Sequence, residues 1–275
     1  MRVTARSRMK NKTAGRFDGA EHNVPVILHE DNHVVAVHKP AGVLTQGDAS
    51  GAVSLLESLR DYLKHRDGKP GNVYLGMVQR LDKPVSGVIV FAKTSKGARR
   101  ISEQIRNRQV SKFYVAVTPA AGADYAFPGQ DGGSGWVELQ DRLLRVGSKT
   151  VVCSNCREGS REAVLQMATV FGNSEFFVHL VRLITGRKHQ IRAQLSARGM
   201  PVCGDGKYGS PSQLVQGRIL LHAYLLRLIH PTKKTLVEIS CPPDADFLSV
   251  FTAGEQKKIV ARLKALSSEQ EPNGR

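Results

Sequence analysis

Gln79-Arg80-Leu81-Asp82-Lys83-Pro84-Val85-Ser86-Gly87 sets one carboxylate between two cations and then bends the chain with Pro and Gly. The run that follows, Val88–Phe91, has the length and β-branched content of a buried strand. Cations beside a carboxylate favour its ionised form. An ionised, positioned carboxylate can serve as nucleophile or base. Taken alone, this stretch reads better as a surface loop acid paired with Arg80 or Lys83, because structural ion pairs also perturb acids.

Upstream, Val34-Val35-Ala36-Val37 follows the turn-like Glu30-Asp31-Asn32 and reads as a second buried strand, ended by Lys39-Pro40-Ala41-Gly42. Val53–Lys64 carries Leu55, Leu56, Leu59 and Leu63 on one helical face. Downstream, Ser95 is placed as the N-cap of a helix marked by Ile101 and Ile105. Lys112–Val117, Ala163–Val170 and Phe176–Leu183 are strand-like. A helix is expected from about Lys188 to Arg198, stopped by Gly199 and Pro201. Tyr224–Ile229 and Thr235–Ile239 flank His230-Pro231-Thr232 as a hairpin, and a last helix spans about Ala245–Leu263. Gly129–Gly135 reads as a linker; it lacks the Lys-Ser/Thr ending of a phosphate-binding loop. Strands adjoin strands more often than they alternate with helices. The expectation is therefore an α+β fold with a large mixed, mainly antiparallel sheet flanked by helices and loops. Residues 1–23 are expected to form a flexible basic arm, 24–265 a catalytic domain and 266–275 a disordered tail.

Forty Lys and Arg stand against 24 Asp and Glu in 275 residues, a net charge of +16. Such a surplus attracts polyanions, nucleic acid first and an anionic membrane surface second. No apolar run approaches the ~20 residues of a spanning helix, so no membrane partner is expected. The N-terminus carries Arg2, Arg6, Arg8, Lys10, Lys12 and Arg16 with no acid before Asp18. It reads as an RNA-contacting arm or an organelle transit segment, and the arm is preferred because no apolar face accompanies the arginines. Cys153-Ser-Asn-Cys156 is half a zinc site, but Cys203 and Cys241 lie too far apart to complete it. No metal is expected, and reduced cysteines suit a cytoplasmic protein.

Two further clusters carry candidate chemistry. In Lys112-Phe113-Tyr114, strand alternation puts Lys112 and Tyr114 on one face, and Tyr114 can stack on a base or sit in the core. In Ile184-Thr185-Gly186-Arg187-Lys188-His189-Gln190-Ile191-Arg192-Ala193-Gln194-Leu195, Ile191 and Leu195 mark a buried helix face. His189 and Arg192 share the other side. With Arg187 and a helix N-terminus they make either an anion site or a solvated basic face.

Together these clusters resemble the RluA family of RNA pseudouridine synthases. The first is similar to that family's His-Arg-Leu-Asp-x-x-Thr-Ser-Gly motif, the second to its Tyr strand and the third to its Thr-Gly-Arg-x-His-Gln-Ile-Arg-x-His motif. Lys39–Gly42, Gly204-Asp205-Gly206-Lys207-Tyr208-Gly209, Leu221-His222-Ala223 and His230-Pro231 also match, in the family's order, over about Val34 to Pro242. Gly204–Gly209 also spells the dinucleotide fingerprint, but it follows a helix stop rather than a strand, so that reading is set aside.

The resemblance implies a pseudouridine synthase fold and an isomerase of uridines in structured rRNA or tRNA, with no cofactor and acting as a monomer. It implies Asp82 as the catalytic aspartate, Arg192 as its ion-pair partner and Tyr114 as the residue that stacks on the flipped base and helps deprotonate C5. Arg80 would fill the gap left by the flipped nucleotide, Leu221 would pack on the base, and Lys39, Arg187 and His189 would support the site or contact phosphates. Three departures from the motifs, Gln79, Lys83-Pro84-Val85 and Gln194, all lie beside these residues in sequence. The ~33 residues before the first strand are too few for the S4 domain of many relatives, so RNA affinity is expected from the basic domain itself. The competing readings are an inactive RNA-binding or ribosome-assembly protein, and a phosphoryl-transfer enzyme. The second would need clustered carboxylates for Mg²⁺, and none stands near the basic motifs.

Overall fold

The computed structural model describes residues 24–120, 135–153, 157–211 and 218–269. The basic arm at 1–23, most of the Gly129–Gly135 linker, Cys156 and residues 270–275 lie outside them. Strand β4 (Ser86–Ala92) is buried along its whole length, as expected of an apolar run without alternation. On one side it pairs antiparallel with β2 (Val34–Lys39), which in turn pairs with β1 (Ile27–Glu30). On the other side it runs parallel to β10 (Leu221–Ile229), with His222 opposite Ser86 and Ala223 opposite Gly87. Gly87 has φ +117, and a Cβ there would overlap the Ala223 backbone. Only glycine permits this close crossing, and it brings Leu221 beside the segment that carries Asp82.

From β10 the sheet continues antiparallel through β5 (Ser111–Pro119), β9 (Phe176–Leu183), β8 (Arg161–Gly172), β6 (Val137–Val146) and β7 (Lys149–Cys153). The short β3 (Gly76–Met77) pairs with β4, and β11 (Leu236–Ser240) with β10. The sheet is mixed and mainly antiparallel, and the fold is α+β, as the strand pattern predicts. β1, β3, β6 and β7 were not legible as strands: β1 and β6 are only half buried, and β3 is two residues long.

Helix α1 (Leu55–Arg66) opens on a capping box, in which the Ser54 side chain accepts from Glu57 N–H and the Glu57 carboxylate accepts from Ser54 N–H. Helix α2 (Ser95–Arg106) is capped by Thr94 rather than by Ser95. Thr94 is the extended residue, and its Oγ1 accepts from Gly97 N–H at 3.1 Å. Helix α3 (Gln190–Ser196) starts later than expected because His189 is left-handed, φ 53. Helix α4 runs Ala253–Glu269, not Ala245–Leu263. Residues 245–250 form turns, and the helix passes the boundary placed at 265, with Leu266 and Ser267 buried.

The sheet separates two cores. Leu59 and Leu63 of α1 and Ile101 of α2 pack with Val35, Val37 and Phe91 on one side. Ile259, Leu263 and Leu266 of α4 pack with Phe113, Val115 and Val117 on the other. Alternation along β5 therefore turns Tyr114 away from α4 and onto the face that carries the site.

Candidate active site

Asp82 lies in the short segment before β4, and residues on either side of it are tied to the loop that follows β2. Thr45 Oγ1 donates to Leu81 O (2.9 Å) and accepts from Leu81 N–H (3.2 Å). Lys83 O accepts from Gly42 N–H (2.8 Å) and from Lys39 Nζ (3.1 Å). Asp82 O accepts from Val85 N–H (3.0 Å), which closes the turn around Pro84. The carboxylate is thus held by backbone clamps on both flanks.

Lys39 is the centre of this clamp. It is fully buried, and its ammonium also donates to Pro40 O (2.9 Å) and Val43 O (2.7 Å), one carbonyl for each N–H. Burial pushes its pKa down to about 7, and the charge of Asp82 pushes it back up. Lys39 is therefore a support of the loop and not a phosphate contact.

Arg192, on α3, reaches Asp82 Oδ2 with Nη1 at 2.9 Å. Its other edge is a fork on Asp205, with Nε to Oδ2 at 2.6 Å and Nη2 to Oδ1 at 2.9 Å. The Arg192 side chain is 5% exposed and that of Asp205 1%. Burial opposes the guanidinium's charge, but the hydrogen bonds and charges of Asp205 and then Asp82 prevail and raise its pKa. The Tyr208 ring lies 4.9 Å from the guanidinium carbon. Gln190–Leu195 are all buried, so the solvated-basic-face reading of this segment is wrong. Arg192 is taken up by two carboxylates and Arg187 Nε by Glu162 O (2.9 Å), while Lys188 stays exposed.

His189 faces the same carboxylate oxygen, with Nε2 3.5 Å from Asp82 Oδ2, and its Nδ1 lies 2.8 Å from the Tyr208 hydroxyl. Burial lowers its pKa to about 4, opposed by Asp82 and reinforced by Arg192, Lys188 and Lys207. It is neutral at pH 7, with an 8%-exposed side chain, and is not placed as a phosphate contact. The loop before it is closed by Gln190, whose Oε1 accepts from Arg187 N–H (2.9 Å) and Thr185 Oγ1 (2.9 Å).

Arg80, Asp82, Tyr114, Arg187, His189, Arg192 and Leu221 line one open cleft of about 740 Å³. Lys83, Lys188 and Lys207 add cations to its walls. Burial, then the charge of Asp82, raises the Tyr114 pKa, so the phenol keeps its proton at neutral pH. Gln79 does not line the cleft. Gln194 points the other way, donating to Asp141 Oδ2 (2.7 Å) and to Leu139 O (3.2 Å) beneath β6 and β8. Its neighbourhood in sequence is not neighbourhood in space. Asp205 and Tyr208 were visible only as part of a matching motif, without a role. Among the described residues, no group of three or more His, Cys, Asp or Glu could hold a metal ion.

A family model described as RNA pseudouridylate synthase matches residues 33–197, which hold Lys39, Asp82, Tyr114, His189 and Arg192. The chain belongs to this family. Among curated synthases, ribosomal large subunit pseudouridine synthase D of Xylella fastidiosa is 32% identical over 260 residues, covering 86% of this chain and 72% of that protein. Synthase C of Escherichia coli is 30% identical over 230 residues, covering 80% of this chain. The chain spans 66% of that second relative's length, just under two thirds. Human RNA pseudouridylate synthase domain containing 4 superposes with TM-score 0.64 at 23% identity, covering 87% of this chain and 93% of that one. Human RNA pseudouridylate synthase domain containing 1 gives 0.65 at 21%, covering 93% and 100%. These two likenesses establish the synthase fold. Among the described residues, no helix is long and apolar enough to cross a membrane.

Proposed function

We propose that this synthase isomerises uridine to pseudouridine in large-subunit ribosomal RNA, with Asp82 as the reacting carboxylate. The observation that carries the reading is the fixed ion pair of Asp82 with Arg192 on the wall of a cation-lined cleft. The target base must leave its stack to enter such a cleft, at a cost of a few kcal/mol. Tyr114 would stack on the flipped base, and its protonated phenol suits it to that task better than to taking a proton. Leu221 would pack on the base, and Arg80, exposed at the rim, would occupy the vacated place in the RNA stack. Arg187, Lys188 and Lys207 would meet phosphates.

Asp82 has two routes. It attacks C1′ while uracil leaves with the C1′–N1 electron pair, or it takes the C2′ proton while the C–H pair becomes the C1′–C2′ double bond and uracil leaves likewise. In both, the freed ring turns and C5 bonds to C1′, displacing the Asp82 carboxylate in the first route or with the proton returned to C2′ in the second; C5 then gives up its proton and N1 gains one. The names of the related synthases favour ribosomal over transfer RNA, and a ribosomal substrate favours the cytoplasm. The test is incubation with unmodified large-subunit rRNA and with total tRNA, followed by mapping of pseudouridine. A new site in rRNA, absent with Asp82→Ala, is expected. No new site, or equal yield from the variant, would overturn the assignment.

A further inference from the structure

We infer that Tyr208 and His189 form a positioning pair that pins Oδ2 of Asp82 and leaves Oδ1 as the reacting oxygen. This rests on the reading of Asp82 as the reacting carboxylate. Three observations lead to it.

First, both groups that reach Asp82 converge on one oxygen, Arg192 Nη1 at 2.9 Å and His189 Nε2 at 3.5 Å. Oδ1 has no hydrogen-bond partner among the described residues. Second, the contacts favour one tautomer of His189. The Tyr208 hydroxyl accepts from Thr150 N–H at 2.9 Å, so its single proton is free to point at His189 Nδ1, 2.8 Å away. A neutral ring that accepts at Nδ1 carries its proton on Nε2, the nitrogen that faces Asp82. Third, His189 adopts φ 53, a left-handed conformation uncommon for a non-glycine residue. The Tyr208 ring meets the imidazole edge-on, with centroids 5.7 Å apart. The same ring covers the guanidinium of Arg192. Tyr208 therefore orients both donors, and it is itself held through Thr150 at the start of β7.

Asp82, Arg192, Lys188 and Lys207 are the charges that face His189. Burial keeps the ring neutral near pH 7, so Nε2 faces Asp82 Oδ2 at 3.5 Å as part of an uncharged imidazole.

The test uses the full chain and its RNA substrate in the steady state near pH 7, where the imidazole is neutral. His189→Ala is expected to lower kcat about 10- to 100-fold, the span of one hydrogen bond to a charged group, with KM unchanged. His189→Gln restores a neutral N–H donor and should recover most of the loss. Tyr208→Phe keeps both ring contacts but frees Nδ1 to take the proton. The neutral ring can then populate the tautomer with no proton on Nε2, so Tyr208→Phe should also lower kcat with KM unchanged. Melting temperatures separate these effects from misfolding. A loss carried by KM, a His189→Gln variant as impaired as His189→Ala, or a Tyr208→Phe variant with wild-type kcat would each overturn the inference. Wild-type protein that forms no pseudouridine would instead overturn the assignment of Asp82.

Discussion

Arg192→Met removes the cation on which two carboxylates depend, and the two are affected differently. Asp205 is 1% exposed and takes two of the three charge-assisted bonds of Arg192. Without the guanidinium its charge is left in the interior with no compensation, a loss of about 3–5 kcal/mol. Asp82 is 26% exposed and can recover water, so it adds little to that figure. With a urea m-value of about 3 kcal/mol/M, the unfolding midpoint should fall by about 1–1.7 M. Replacing Asp205 as well, by Asn, removes the orphaned charge and should return most of the lost stability. Activity should not return with it, because Asp82 still lacks its partner. The assays are urea unfolding and single-turnover isomerisation on the two single variants and the double. A destabilisation below about 1 kcal/mol in Arg192→Met would refute the argument. So would stability costs that simply add in the double variant, since residues in one network should couple.

Lys39→Met deprives Pro40 O and Val43 O of their donor, at about 1–3 kcal/mol for each buried carbonyl, while Lys83 O keeps Gly42 N–H. The expected result is a lower melting temperature and a lower kcat; an unchanged or higher melting temperature would show that the cost of burying the ammonium outweighs its bonds. Glu30 accepts from Arg66 (2.6 Å) and Lys93 (2.6 Å), and the Arg66 bond foremost holds its pKa at about 2 against the cost of burial. A lowered native pKa gives stability that is present above the ordinary carboxylate value of 4.5 and lost as pH falls toward 2. Glu30→Gln should therefore flatten the dependence of melting temperature on pH between those limits. Burial pushes the thiols of Cys203 and Cys241 up to about 12. A thiol reagent should modify the half-exposed Cys153 in the native protein and reach those two only after unfolding, as read by peptide mass. Finally, RNA affinity should fall steeply between low and moderate salt if cations on the cleft walls meet phosphates; a flat response would exclude that role for them.

The sequence by itself determined the α+β class, because uninterrupted apolar runs such as Val88–Phe91 can only be satisfied inside a sheet. It also determined which residue types could do chemistry, since an acid between cations and a Tyr on an alternating strand carry their meaning locally. It missed the limits of elements whose ends depend on one backbone angle or cap, as at His189 and Thr94. It could not show whether a charge is exposed or buried. Lys39 and His189 read equally well as supports or as phosphate contacts, yet each is enclosed and occupied, because burial is set by which loops pack over a residue. The groups that build the Asp82 site come from segments far apart in the chain: Thr45 and Lys39, which bond its neighbours Leu81 and Lys83, lie before it, and Arg192, with Asp205 and Tyr208 behind it, lies more than a hundred positions after it. The parallel β4–β10 crossing, which requires Gly87, and the packing of α3 against β6, β7 and the Gly206–Tyr208 turn bring these together. The residue that opened the sequence reading was therefore legible as a candidate from its neighbours in the chain, but its hydrogen-bond partners were decided by tertiary packing.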